Sequence, residues 1–170
     1  MLNILIQETD LFFQAGLQSF FDDFFKHNFH RSITFHLALT NENVSQADII
    51  VLSLCQGETL TCFPELLARQ KGIVIGLVDD ELRFSALPSC FQDIIFLPRR
   101  ASLDRISGVL FIAWFRTQLP GYTLNKKNCF DCQHKGLSRQ QIRIMVNFYR
   151  GLSVVQTANA LKMSEKTVFT

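Results

Sequence analysis

Two short runs, Asp-Ile-Ile-Val-Leu-Ser-Leu at 48–54 and Gly-Ile-Val-Ile-Gly-Leu-Val at 72–78, are apolar at consecutive positions instead of at every second one. A strand with two apolar faces has to be covered on both sides, which is the situation of a strand inside a parallel sheet between two layers of helices. Around them, β-rich apolar stretches at 3–6, 32–39 and 93–97 alternate with helical stretches at 10–26, 60–69, 82–91 and 103–118. The alternation predicts an α/β fold over residues 1–118, five parallel strands joined by right-handed crossovers. The short polar segment 41–46 is expected to be a single turn or a loop.

Residues 119–136 change character. Pro120-Gly121, Asn125-Lys-Lys-Asn128 and Gly136 have the polar, turn-forming composition of an interdomain linker. Beyond it, residues 137–170 form a second, all-helical unit: a helix at 138–149, a turn at Arg150-Gly151-Leu152, a helix at 153–161, a break at Met163 and a third helix opening at Ser164. Ser138 with Gln141 has the spacing of a capping box, and Ser153 and Ser164 are N-cap candidates. Gly151 can take the left-handed conformation that ends a helix. Ile142, Met145, Val146 and Tyr149 recur at helical spacing as one stripe, and Thr157, Ala158 and Leu161 are the expected core of the second helix. At about 1.5 Å per residue the third helix extends roughly 10 Å to Thr170. That is too short to fill a major groove, so this helix-turn-helix is expected to be truncated at its C-terminus.

Charge follows the same division. Residues 1–118 carry nine Lys/Arg and thirteen Asp/Glu, whereas residues 119–170 carry eight and two. A basic module attached to an acidic one is what binding to a phosphate backbone by the smaller part requires. With 48% apolar residues there is enough material for a core in each part. No stretch reaches the roughly 18 uninterrupted apolar residues of a membrane span. The N-terminus lacks the pattern of a signal peptide, which leads to the expectation of a cytoplasmic protein that does not engage a membrane. The five cysteines then read as reduced thiols. Cys129 and Cys132 with His134 have the look of a metal knuckle but lack a second ligand pair, leaving a redox-sensitive pair or two plain linker thiols. Asp79-Asp80-Glu81 reads as the acidic first turn of a helix. No metal site and no cofactor are expected.

Leu137, Ser138, Gly151, Ser153, Ala158, Leu161, Ser164 and the Thr167-Val168 pair resemble the DNA-binding domain of the LuxR/NarL (FixJ-like) class of bacterial transcription regulators. Two positions depart from that pattern: Gln141 stands where the family carries an acidic residue, and Phe169 where it carries a basic one. By this resemblance the DNA-contacting residues are Lys162, Ser164, Glu165, Lys166, Thr167, Phe169 and Thr170. Five strand-helix units before such a module are similar to a response regulator with a flavodoxin-like receiver. A working receiver needs an acidic pair for Mg²⁺, a phosphoacceptor Asp, a Ser or Thr, and a Lys. The corresponding positions hold Glu8 and Thr9, Ser53, Gly76 and Arg99. Half of the metal site and the nucleophile are missing, and an Arg replaces the compact ammonium. The resemblance therefore implies a pseudo-receiver with a degenerate phosphorylation site and no catalytic residues, not an enzyme.

Seventeen phenylalanines exceed what a core needs. Phe12, Phe13, Phe20, Phe21, Phe24 and Phe25 crowd one helix, and Val109, Leu110, Phe111, Ile112, Trp114 and Phe115 wrap most of another. About half are assigned to packing and the rest to an interface. The reading that results is a regulator that binds promoter DNA without receiver phosphorylation, as a homodimer or as a heterodimer with another response regulator. Auxiliary enterobacterial regulators of capsule or fimbriae are built in this general way. The alternative is an interaction module that sequesters a partner regulator and does not touch DNA.

Overall fold

The computed structural model of the chain describes residues 1–55, 57–79, 88–124 and 137–169. Five strands, β1 (Leu2–Gln7), β2 (Ile33–His36), β3 (Ile49–Ser53), β4 (Ile73–Val78) and β5 (Ile95–Pro98), form one wholly parallel sheet in the order β2-β1-β3-β4-β5. That order is the flavodoxin-like arrangement, in which the chain reverses direction across the sheet between β1 and β3. Every residue of β4 is buried, as its two-faced apolar run requires.

Side chains alternate between the two faces of the sheet. Ile4, Ile6, Ile49, Val51, Ile75 and Leu77 pack towards α1 (Leu11–Phe29) and α3 (Leu103–Thr117). Leu5, Ile50, Leu52, Val74 and Val78 pack on the other side, beneath α2 (Asn41–Gln46) and the turns that follow β3 and β4. Asp10 starts α1 by accepting hydrogen bonds from the backbone N–H of Phe12 and Phe13, and His30 ends it in the left-handed conformation. Of the crowded phenylalanines, Phe21, Phe24 and Phe25 are buried against Trp114, whereas Phe12 is 93% exposed. The segment 41–46 forms a full helix because Thr40 caps it, accepting from Asn43 N–H.

The helix expected at 60–69 is instead two 3-10 turns, Glu58–Leu60 and Pro64–Ala68. Pro64 excludes its predecessor from the helical region, and Phe63 accordingly sits at φ −111°, ψ 89°. Of the helix expected at 82–91, residues 82–87 lie outside the described residues, and after Pro88 there is only a 3-10 turn, Ser89–Phe91.

The helical unit comprises α4 (Arg139–Tyr149), α5 (Val154–Leu161) and α6 (Glu165–Phe169). Complete capping boxes open α4, from Ser138 and Gln141, and α5, from Ser153 and Gln156. Gly151 at φ 82° turns the chain between them. Thr157, Ala158 and Val168 are its buried residues, and Leu161 is half-buried. The stripe expected on α4 is split, because Met145 and Tyr149 are exposed while Ile142, Arg143, Val146 and Asn147 are half-buried. That second face is turned towards the sheet.

Gly72 joins this architecture at a point that admits no side chain. Its φ is 78°, and a Cβ there would lie 2.0 Å from the carbonyl oxygen of Asp48, which accepts the N–H of Ile73. Gly72→Ala is expected to lower stability by about 1–3 kcal/mol from the left-handed backbone alone, and further from the clash. Urea unfolding of the variant beside the parent, followed by far-UV circular dichroism, measures the loss.

Candidate functional site

In an open parallel sheet the crevice for chemistry lies beyond the carboxyl ends of the strands where the strand order reverses. Register fixes which residues meet there. Gln7 of β1 pairs with Leu52 of β3, so Glu8 and Ser53 emerge side by side, and Arg99 follows β5 with its N–H bonded to the carbonyl of Val78.

The Glu8 side chain is only 2% exposed, and both of its oxygens are engaged. Oε1 accepts from the backbone N–H of Thr9 at 2.7 Å and of Asp10 at 2.9 Å. Oε2 accepts from the Ser53 hydroxyl at 2.5 Å and pairs with the Arg99 guanidinium at 2.7 Å. Burial by itself would raise the Glu8 pKa, but the Asp10 N–H, the Ser53 hydroxyl and the Arg99 charge outweigh it and hold the carboxyl below its ordinary 4.5. Arg99 is fixed in turn. Its guanidinium carbon lies 4.3 Å from the Phe13 ring centroid, and Asp79 is 3.9 Å away. The carboxylate that would coordinate a metal and the cation that would meet a phosphoryl group are thus spent on each other.

Thr9 is exposed and lines the same cleft. Gly76 does not reach it. It lies inside β4 between Leu52 and Phe96, and a Cβ at this position would face the Phe96 ring at 3.0 Å on the opposite side of the sheet from α1. The residue that does stand at the cleft beyond β4 is Asp79.

A second buried carboxylate sits next to the first. Glu58 is fully buried in the turn after β3. Its Oε2 accepts from the Cys55 N–H at 2.9 Å, and its Oε1 takes the Nε–H of Arg143, from α4, at 2.8 Å. The same helix brings Ile142 against Gly57, where a Cβ would lie 3.0 Å from the Ile142 methyl. The result is a cleft of about 680 Å³ between sheet and helices. Glu8, Ser53, Asp79 and Arg99 form one wall, and Arg143, Arg150 and Lys162 stand on the other. Burial, with the Glu58 carboxylate beside it, pushes the Cys55 thiol up to about 11, so it stays protonated at neutral pH. Neither Glu58 nor Arg143 stands out in the sequence. The available signal was the face Ile142, Arg143, Val146, Asn147 and Arg150, whose helical spacing places two cations among core-facing positions.

Of the residues expected to contact DNA, Lys162, Ser164, Glu165, Lys166, Thr167 and Phe169 are all exposed and clustered around α6, with Phe169 at 78%. Ser164 accepts the Thr167 N–H at 3.2 Å and shares a hydrogen bond with the Thr167 hydroxyl at 2.7 Å, so these two side chains begin the helix. Lys162 is left-handed at φ 53°. Thr170, Asp80, Glu81, Cys129, Cys132 and His134 lie outside the described residues. Among the described residues no group of three or more His, Cys, Asp or Glu is placed to hold a metal ion.

No family model and no curated protein sequence matches the chain. Solved structures of response regulators are similar to it. ChrA of a haem-sensing two-component system is 21% identical, with 98% of this chain and 83% of that one covered and a TM-score of 0.39. RcsB from Salmonella typhimurium is 14% identical over 98% and 86%, with a TM-score of 0.43. The N-terminal domain of a response regulator/sensory box/GGDEF protein from Carboxydothermus hydrogenoformans is 17% identical over 66% and 94%, with a TM-score of 0.46.

The ionic closure of the site sets two expectations. Arg99→Ala leaves Glu8 buried without its cation and should cost about 3 kcal/mol, the lower end for a broken buried pair, because Arg99 is itself 25% exposed. A carboxyl held below 4.5 contributes stability that is complete above that pH and is lost as pH falls through its lowered value. Glu8→Gln should therefore be less stable than the parent at pH 7, and the gap should narrow as pH drops below 4.5. Denaturation midpoints measured from pH 7 to pH 2.5 check the sign; a gap that widens in acid would refute the assignment.

Proposed function

We propose that this chain is a DNA-binding transcription regulator of the LuxR/NarL class whose receiver-like part, residues 1–118, acts without phosphorylation. In this reading residues 119–136 are the linker and residues 137–170 the helix-turn-helix. One observation carries it: residues Lys162 to Phe169 present their polar and charged side chains outward on a capped helix pair held by Thr157, Ala158 and Val168. Lys162 and Lys166 supply charge to phosphates, Ser164 and Thr167 hydroxyl contacts near the helix start, and Glu165 and Phe169 contacts further into a groove. The excess of cations in residues 119–170 supports the same assignment.

Loss of phosphorylation follows from the chemistry of the site. Ser53 donates to a carboxylate that Arg99 already neutralises, and a hydroxyl there cannot form the acyl phosphate that an aspartate forms. Regulation then rests on association. On α3, Phe111, Ile112 and Phe115 are 45%, 57% and 55% exposed, with Leu119 just beyond at 47%. This apolar stripe supports pairing with a second copy or with another response regulator. A cytoplasmic location fits such a role, and no described helix is long and apolar enough to cross a membrane. The same stripe favours the second reading, in which the chain binds a partner regulator and withholds it from DNA. Roles in capsule or fimbrial control belong to the proposal only by resemblance.

Mobility shifts of promoter fragments with the full chain at low salt separate the two. The DNA-binding reading expects a shift whose affinity falls steeply with salt. Lys166→Ala should weaken binding to all sequences alike and flatten the log–log salt slope by about 1, as for one lost phosphate contact. No shift at low salt, together with loss of a partner regulator's own shift on addition of the chain, would replace it by sequestration.

A further inference from the structure

The crossovers that follow β3 and β4 run side by side, and three pairs of residues meet between them. Phe63 and Phe91, both fully buried, lie with ring centroids 5.2 Å apart. Arg69, buried, forms an ion pair with Asp93. Next to each ring in sequence is a cysteine, and the sulfurs of Cys62 and Cys90 are 3.9 Å apart, each residue half-buried. Nothing in their spacing of 28 residues announces a motif; only the parallel topology brings them together.

We propose that Cys62 and Cys90 are a redox pair that closes to a disulfide on meeting a peroxide, and so fixes the turn that holds Glu58 beneath α4. A disulfide needs sulfurs at about 2.05 Å, an approach of roughly 2 Å from their contact here. Rotation of two side chains on segments without long secondary structure supplies it. One thiolate attacks a peroxide oxygen, the O–O bond breaks, and the leaving hydroxide takes a proton to become water. The sulfur is left as a sulfenic acid. The second thiolate attacks that sulfur, the S–S bond forms, and the S–O bond breaks to release a second water. Two thiols are oxidised by two electrons and the peroxide is reduced by the same two.

The coupling to α4 runs through one short turn. Thr61 N–H and Thr61 hydroxyl both donate to the Glu58 carbonyl, at 3.1 Å and 2.8 Å, and Cys62 is the next residue. Glu58 in turn holds Arg143. Anchoring Cys62 to Cys90 removes freedom from the turn and keeps the carboxylate in position, so the oxidised chain holds its helical unit more persistently. This inference does not depend on whether the helices bind DNA.

The test uses the full chain carrying Cys129→Ser and Cys132→Ser, which leaves three of the five cysteines. After hydrogen peroxide, alkylation and peptide mapping by mass, one alkylated thiol at Cys55 and a single intramolecular Cys62–Cys90 peptide, restored to two thiols by dithiothreitol, are expected. Cys62→Ser and Cys90→Ala should each abolish that peptide. Hydrogen exchange of the α4 amides should slow on the order of tenfold on oxidation in the parent and not in Cys90→Ala. All three thiols still alkylatable after peroxide, or a crosslink through Cys55 or between chains, overturns the pair. A Cys62–Cys90 bond that leaves α4 exchange unchanged overturns the coupling.

Discussion

The parallel register of β1 and β3 places the carboxyl ends of two central strands level, and everything at the cleft depends on it. Ile4 opposite Ile49 and Gln7 opposite Leu52 bring Glu8 to Ser53, and the next residues along β3 lead to the Glu58 turn. A slip of one residue would reverse the faces of both strands and bury the wrong set of side chains, so the apolar pattern that builds the core also fixes the position of the carboxylates. Core and site are one constraint.

Two buried glutamates need compensation, and the chain supplies an arginine to each: Arg99 from the sheet unit itself and Arg143 from the helical unit. Ion pairs of this kind add little net stability compared with apolar packing, because desolvation consumes most of the attraction. Their effect is on specificity. A carboxylate with one well-placed cation tolerates few alternative arrangements, so Glu8–Arg99 closes the old phosphorylation geometry and Glu58–Arg143 selects the face of α4 that meets the sheet. The Ile142 contact on Gly57 adds shape to that selection.

Patterns of apolar residues made the sheet legible. Five strands, α1, α3 and the capped helices α4 and α5 all follow from local runs and caps that depend on near neighbours in sequence. Where local rules competed, the reading failed: Pro64 broke an expected helix into 3-10 turns, and on α4 the spacing of Tyr149 and Met145 was compatible with a core stripe until Arg143 found Glu58. Within the site, Glu8, Ser53 and Arg99 were visible by position, but their mutual engagement was not, since hydrogen bonds across 45 residues leave no trace in a pattern. Gly76 shows the converse. Counting along a strand put it one pleat away from the residue that stands at the cleft, and a strand's alternation turns such an offset into the opposite face.

Lys162 ends α5 in a conformation that glycine adopts freely and that costs a lysine about 1–2 kcal/mol. The peptide geometry that sets the angle between α5 and α6 is therefore carried by a residue whose ammonium also faces the cleft. Shape and charge are inherited together at this position: relaxing the backbone with a glycine would remove the cation, and keeping the cation preserves the strain. Divergence of related chains here should run along one axis, with bend and electrostatics changing in step.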